Sequence, residues 1–454
     1  MKKDLVQDAV EATFRKPPKI GFMPSFNDYG ETFPLIEIAK KYMTLGGQAI
    51  FIGHKGEYDK LAKDIGCRII ELKRNVPKKL TEKNIKLSNK YHYKNMYLER
   101  YYSRFFSKKY EKLFINKIER EIKIFKDEKV RLIVAAFAFT PLISARVANI
   151  PLVVLISGVA IPPYFESNYA TFPESYENFF THLIPQSIKN RLTNWYILRC
   201  KWGVKGFNRL ARKYKTPQIN RFLNLFQGDY TFIADNIDFL KLQPSPKFPK
   251  KNYIGPILPE NPSSYQENLI EPDVKMHLKR QGQSILFTFG SIGVKKIFFK
   301  VLNALNKTNH NVIVPYTTVI KENEIPNLNE NILLKRFIPS INKINEMVDL
   351  AIIHGGRGTV YTAAFSGKPV IGIPMHAEQQ WNLNNLVKHG VGVMLSRKKF
   401  TESNLFTAIN KIFSNYETYL NQARLLKDKL PEPKGAEIAA KQILEIAINH
   451  SKNQ

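Results

Sequence analysis

Residues 354–382 read HGGRGTVYTAAFSGKPVIGIPMHAEQQWN, and most of the chemistry legible in this chain is concentrated there. Glycines stand at 355, 356 and 358, with His354 and Thr359 as side-chain donors and Arg357 as a charge. An apolar run at 348–353, broken by Asp349, precedes them, and a small-residue segment at 362–365 follows. That order is strand, glycine-rich turn, helix start. Such a turn leaves backbone N–H groups unpaired at the positive end of a helix dipole, where a phosphate is the natural ligand. GKPVIGIP then reads as a buried strand, with His376, Glu378, Gln379 and Asn382 gathered at its carboxyl end. A phosphate cradle followed by a polar cluster one strand later meets the needs of a sugar nucleotide. Taken alone, HGGRGT has a plainer alternative, a tight turn that binds nothing.

The elements that must position these residues are visible in both halves of the chain. In the second half, strand 284–289, helix 294–307, strands 311–315 and 331–335, helix 340–347 and strand 349–353 lead into the glycine turn. In the first half, an apolar strand at 19–24 ends in a Pro/Ser/Asn/Asp/Gly loop. Residues 33–45 have helical periodicity stopped by Gly46 and Gly47, and 48–53 is the next strand. Strands are also expected at 131–136, 152–157 and 230–234. This alternation predicts two doubly wound, Rossmann-like α/β domains. The proline-rich stretch 243–262 reads as a linker. The expected division is an N-terminal domain at 1–242, a C-terminal domain at 263–435 and an amphipathic helix at 436–454. Within the first domain, 73–126 reads as a basic helical insert and 165–230 as basic, aromatic helices.

Composition narrows the classes. At 454 residues the chain exceeds one compact core. Two cysteines, Cys67 and Cys200, fit a reducing compartment and give no zinc-ligand spacing. Residues 1–16 lack the apolar core of a secretory signal. The most apolar region, 132–163, holds Arg146, Asn149 and two prolines, so buried strands around a short helix explain it better than a membrane span. A cytoplasmic location is expected, with peripheral attachment to the inner membrane face as an extension. That extension comes from charge. The net charge is +30, and it is clustered. Residues 73–126 hold seventeen Lys/Arg against five Glu, interleaved with aromatics such as Tyr91 and Tyr101. Residues 185–217 hold nine Lys/Arg and no acid, with Trp195, Tyr196, Trp202 and Phe207 among them. An anionic membrane surface, or a lipophilic acceptor, is the expected partner, with Lys201, Trp202, Lys205 and Arg209 as its contact. Solvated helix faces over a buried aromatic stripe are the plainer alternative. No nucleic-acid motif accompanies the charge, so nucleic acid is not the expected partner.

The 354–382 segment also resembles the C-terminal signature of the UDP-glycosyltransferase family, inverting glycosyltransferases of the GT-B fold. That pattern runs HGG.GT, A, GKP, IP, an acid followed by Gln, Asn, then G.G, and each piece occurs here in order, ending at Gly390 and Gly392. Upstream, Tyr253-Ile254-Gly255-Pro256, the stretch from Ile285 to Ser291 and Phe337-Ile338-Pro339 match other family segments. The resemblance extends over 253–415 and more weakly over 18–160.

The resemblance implies two Rossmann-like domains facing across a cleft, with the last helix crossing back to the first domain. It implies transfer of a hexose from a UDP-sugar, or a dTDP-sugar, to a hydroxyl of a lipophilic or lipid acceptor, with no metal or other cofactor. His354, Gly356, Gly358 and Thr359 would hold the donor diphosphate together with Gly290 and Ser291. Glu378 and Gln379 would contact the sugar, and Arg357, His376 and Asn382 would stand near the donor. The family places a His or Asp base in the pattern G-[H/D]-x-x-P, and the matching residues are Gly30-Glu31-Thr32-Phe33-Pro34. Glu31 is therefore the expected base, Asp28 its alternative, and a helix-capping role for Glu31 the plainer reading. The family's ribose-binding Glu falls at Thr362, which leaves UDP against dTDP open. An epimerase on the same fold and a non-catalytic relative are the rival functions.

Overall fold

The computed structural model describes residues 18–72, 108, 111–136, 139–259, 270–290, 293–338 and 341–452. The aromatics of the 73–107 stretch and Ser291 lie outside the described residues.

Two six-stranded parallel sheets organise the chain. The first contains β1 (Lys19–Met23), β2 (Gln48–Gly53), β3 (Arg68–Glu71), β4 (Leu132–Ala135), β5 (Leu152–Ile156) and β6 (Tyr230–Ile233), in the order β3-β2-β1-β4-β5-β6. The second contains β7 (Ser284–Thr288), β8 (Asn311–Pro315), β9 (Ile332–Lys335), β10 (Leu350–Ile353), β11 (Val370–Gly372) and β12 (Gly392–Met394). Its order, β12-β11-β10-β7-β8-β9, repeats the same topology. The central strands β4, β5, β7 and β10 are buried at every residue, which is why they read as unbroken apolar runs. Register pairs Phe22 of β1 with Val134 of β4, and Phe287 of β7 with Ile352 of β10. Strand order reverses at these two junctions, and open α/β sheets bind ligands beyond the carboxyl ends of such a reversal.

The helices that matter for the site are α1 (Tyr29–Thr44), α2 (Glu111–Asp127), α3 (Pro141–Val147), α4 (Phe179–His182), α5 (Gln186–Arg199), α6 (Val204–Lys213), α7 (Arg357–Ser366), α8 (Ala377–Lys388) and α9 (Gly435–Lys452). Helix α1 begins at Tyr29, four residues before the apolar periodicity does. Asp28 is the reason: its extended backbone and carboxylate cap the helix by accepting the Gly30 N–H at 2.8 Å. In the first turn only Thr32 is buried and it is not apolar, so hydrophobic periodicity cannot reveal the turn.

Helix α9 packs along α1, and its Ala439, Ala440, Ile443, Leu444 and Ala447 share a core with Leu35, Ile38 and Ala39. The stretch expected as a linker is partly built into the first domain. The Ile254 N–H donates to the Ile233 carbonyl at 3.0 Å, and Ile254 and Ile257 join the α1–α9 core. The close approach of Gly435 to the Gly255 carbonyl, where a Cβ would stand 2.4 Å away, seals that junction.

Candidate functional site

The glycine turn follows β10, and Gly356 caps α7 with an extended backbone and no side-chain cap. The leading N–H groups of α7 therefore point out of the helix end with no cap to take them. Thr359 turns its hydroxyl back to the Gly356 carbonyl at 2.8 Å, which fixes the turn. The glycines serve different purposes. A Cβ on Gly290 would lie 2.7 Å from the His354 ring, and one on Gly356 would lie 2.6 Å from its Nε2. Both positions are bare because the imidazole packs between them. A Cβ on Gly358 would meet nothing within 4 Å. That glycine keeps open space in front of the helix end.

His354 is buried, and burial together with neighbouring His376 lowers its pKa to about 3. The ring is neutral at physiological pH, and its Nδ1 is buried without a hydrogen-bond partner. Burial and Arg397 likewise hold His376 down to about 4. Gln379, one residue past Glu378 in α8, uses its carbonyl to accept the Met375 N–H at 2.8 Å. Its Nε2 is buried and unpartnered. A buried donor without an acceptor is costly in isolation, and a ligand hydroxyl would satisfy it.

The first domain contributes carboxylates. Glu31 lies in the first turn of α1, and its Oε2 is buried without a partner. Burial, then the Asp28 and Glu378 carboxylates, push Glu31 well above the usual carboxylate range, while Arg357 draws it back. Glu378 is raised to about 7 by burial, against the pull of Arg357 and with the push of Asp28 and Asp235. Asp28 is raised by burial, opposed by the Gly30 and Glu31 N–H groups it accepts and by Arg357. Four carboxylates from two domains thus interact with the Arg357 guanidinium, and burial raises the pKa of each.

Residues that the motif reading missed hold the domains together. The Tyr361 hydroxyl accepts the Asn236 N–H at 2.8 Å and pairs with the buried Asp235 carboxylate. Asp235 also accepts the Gly158 N–H at 2.6 Å. On the far side, Trp381 Nε1 donates to the Thr171 carbonyl at 2.9 Å, and Gln380 donates to Thr171 and Phe172. The Glu174 carboxylate accepts the Ser396 hydroxyl at 2.7 Å. These residues are scattered in sequence and share no spacing, so no local pattern announces them. Tyr361 and Trp381 lie inside the signature, where helical periodicity makes them look like ordinary core.

Some expected residues take other work. Asn382 donates to the Gly355 carbonyl at 3.2 Å and shapes the turn from behind. Thr362 bonds Asn342 at 3.1 Å. Asp28, the alternative base, is the helix cap. The basic patch expected at Lys201, Trp202, Lys205 and Arg209 is not one surface. Trp202 turns inward against Phe222, with ring centroids 5.4 Å apart, and Arg209 pairs with Glu111 of α2 at 3.0 Å, leaving only Lys201 and Lys205 exposed. Burying an indole satisfies far more apolar area than leaving it over solvent. The plainer alternative, a buried aromatic stripe, holds for Phe207 and in part for Trp202, whereas Trp195 and Tyr196 are exposed. Among the described residues, no group of three or more His, Cys, Asp or Glu side chains is arranged to hold a metal ion. None of their helices is long and apolar enough to cross a membrane.

Residues 299–446 match the family described as Erythromycin biosynthesis protein CIII-like, C-terminal domain. This span contains the glycine turn, α7, α8 and most of α9. By this match and those that follow, the chain is similar to UDP-glycosyltransferases. It is 27% identical over 288 residues to a PGL/p-HBAD biosynthesis glycosyltransferase of Mycobacterium tuberculosis, and the match covers 61% of each chain. It is 24% identical over 227 residues to the human 2-hydroxyacylsphingosine 1-beta-galactosyltransferase, covering 49% of this chain and 40% of that protein. The match therefore spans less than two thirds of either relative. Among solved structures, the calicheamicin glycosyltransferase CalG4 superposes with a TM-score of 0.64 at 15% identity, covering 95% of this chain and 98% of that one. The spinosyn rhamnosyltransferase SpnG, solved with thymidine diphosphate, superposes with a TM-score of 0.61 at 11% identity, covering 94% and 100%. At these identities the superpositions show the fold, which is GT-B.

Proposed function

We propose that this protein is an inverting, metal-independent glycosyltransferase that moves a hexose from a UDP-sugar to a hydroxyl of a lipophilic acceptor. The observation that carries the reading is the uncapped end of α7, whose first residue Arg357 interacts electrostatically with Glu31 of the first domain, as does Glu378 of α8. In the reaction the acceptor oxygen attacks the anomeric carbon and its proton passes to the Glu31 carboxylate. The bond from that carbon to the diphosphate oxygen breaks on the opposite face, so the configuration inverts. Negative charge then grows on the departing nucleoside diphosphate. The α7 N–H groups, aimed before the reaction begins, stabilise that charge without reorganisation. Preorganised donors can do this without a metal.

Burial raises the Glu31 pKa, which makes its ionised form a stronger base, and Arg357 favours that ionised form. Glu378 and the free Gln379 amide offer an acceptor and a donor to sugar hydroxyls. Thr362 places no carboxylate where a ribose would be read, and the thymidine diphosphate in the spinosyn enzyme makes dTDP the alternative nucleotide. The lipophilic acceptor is supported by the sphingosine-based substrate in the name of the human relative.

A screen of UDP- and dTDP-sugars against hydrophobic alcohols and glycolipid precursors, reading released nucleotide, tests the proposal. Acceptor-dependent release of UDP with formation of an inverted glycoside is expected. Sugar interconversion without any acceptor would instead identify an epimerase. Failure of every nucleotide sugar to bind would remove the donor assignment.

A further inference from the structure

Helix α5 is inverted. Its buried positions are Lys189, Thr193 and Asn194, while Ile188, Leu192 and Trp195 face outward on one stripe. A surface helix of a soluble domain ordinarily turns its apolar stripe to the core. The short helix α4 before it and the residue that ends it extend the pattern, with Phe179, Phe180 and Leu183 exposed to 76%, 77% and 71%. Large apolar side chains gathered this way mark a surface that meets something.

The polar side of α5 explains how the inversion is held. Asn194 accepts the Ala170 N–H at 3.2 Å and donates to the Ala170 carbonyl at 2.7 Å. Asn190 accepts the Phe172 N–H at 2.8 Å, and Lys189 pairs with Glu177. The helix thus grips the loop whose Thr171 and Phe172 receive Trp381 and Gln380 from the second domain. The outward stripe is fixed to the rim of the cleft.

We propose that the α4–α5 face is a docking surface for an anionic lipid bilayer, and that docking turns the cleft rim toward the membrane. Charge decides the partner. Between residues 178 and 228 there are ten Lys/Arg and no Asp or Glu. Arg191, Arg199, Lys201 and Lys205 are exposed beside the apolar stripe, and Arg199 lies over the Trp195 ring at 5.2 Å. Apolar and aromatic side chains flanked by cations fit acyl chains below anionic headgroups. A second copy of this chain is the poorer occupant, because a twofold contact would press two cationic faces together. The surface differs from the Lys201–Arg209 patch that sequence alone suggests, since it is built on aromatics and leucine with cations only at the margin. Its purpose rests on the lipophilic-acceptor reading; its test does not, because lipid binding needs no nucleotide sugar.

The experiment is sedimentation of the full chain with phosphatidylcholine vesicles, with and without phosphatidylglycerol. Three variants accompany it: Phe179→Ser with Phe180→Ser; Leu192→Gln with Trp195→Gln; and Arg191→Gln with Arg199→Gln and Lys201→Gln. All positions are exposed, and unchanged thermal unfolding verifies that each variant folds. Wild type is expected to partition onto the anionic vesicles, with Trp195 fluorescence shifting to the blue. Each apolar pair is expected to lower partitioning at least about tenfold, and the charge variant to abolish the preference for phosphatidylglycerol. Transfer to a water-soluble acceptor, measured separately, should be unaltered, so a failure of docking is distinguishable from a failure of the catalytic reading. The proposal is overturned by absence of partitioning, by variants that partition like wild type, by equal binding to both vesicles, or by a lipid-free dimer that the apolar variants dissociate.

Discussion

The two halves of the cleft are built on the same topology but present chemistry by different means. The second domain offers main-chain groups: the end of α7, held open by Gly358 and backed by a neutral imidazole packed between Gly290 and Gly356. The first domain offers side chains: Glu31 and Asp28 at the start of α1, and Asp235 after β6. Backbone donors are set by the path of the chain, so they demand glycines at fixed spacing. A side-chain base needs only a carboxyl group at the right place and burial to tune it. The donor side is therefore written as a motif and the base side as a single residue.

The sharpest way to break this contrast is Glu31→Gln. The amide keeps the shape but cannot take a proton, so kcat should fall by about 10²–10⁴-fold while UDP-sugar binding is retained. A variant with near wild-type turnover would move the base elsewhere, and Asp28 would be the next residue to change.

Gly358→Val attacks the other side. Nothing stands within 4 Å of the added carbon, so the fold should survive, but the side chain occupies the space before the helix end. Loss of several helix-end contacts worth about 0.3–2 kcal/mol each should raise the donor KM roughly tenfold or more. Gly356→Ala would instead collide with His354 and lower thermal stability. If both variants behaved alike, the division between a clearance glycine and a packing glycine would fail.

Tyr361→Phe tests whether the halves act as one. It removes the acceptor of the Asn236 N–H and a partner of Asp235 across the cleft. Leaving buried groups unpaired should cost about 1–3 kcal/mol, read as a lower denaturation midpoint.

The last test is a pH dependence. Glu378 is raised from 4.5 to about 7 in the folded state, so its contribution to stability is fully present below pH 4.5 and lost as pH rises through about 7. His354 and His376, lowered to about 3 and about 4, act in the opposite sense over the acid range. The difference between wild type and Glu378→Gln isolates the carboxylate. Wild type should lose thermal stability relative to the variant between pH 4.5 and 7 in the absence of donor. A flat difference would mean that Glu378 is already ionised and the cluster around Arg357 is more hydrated than its burial implies.

The strands, the two-domain division and the glycine turn could be read from the chain because each is a local pattern: apolar runs of strand length, proline-rich breaks, glycines at fixed offsets. The start of α1 was less legible. Its apolar face begins at residue 33, whereas the capping Asp28 makes helix from Tyr29. The Lys201–Arg209 stretch shows a related limit. Charge density says nothing of orientation, and Trp202 and Arg209 find partners within the fold.

What the sequence determined by itself is therefore the donor side: a strand, a turn that only glycine can make close to an imidazole, and a helix whose free end attracts an anion. Tertiary structure alone decided the rest. It brought Asp28, Glu31, Asp235 and Glu378 around Arg357 and locked Tyr361 onto Asn236. It also turned the apolar stripe of α5 outward. Those outcomes depend on which groups meet across hundreds of residues. Burial and charge act through space, while a motif records only what lies along the chain.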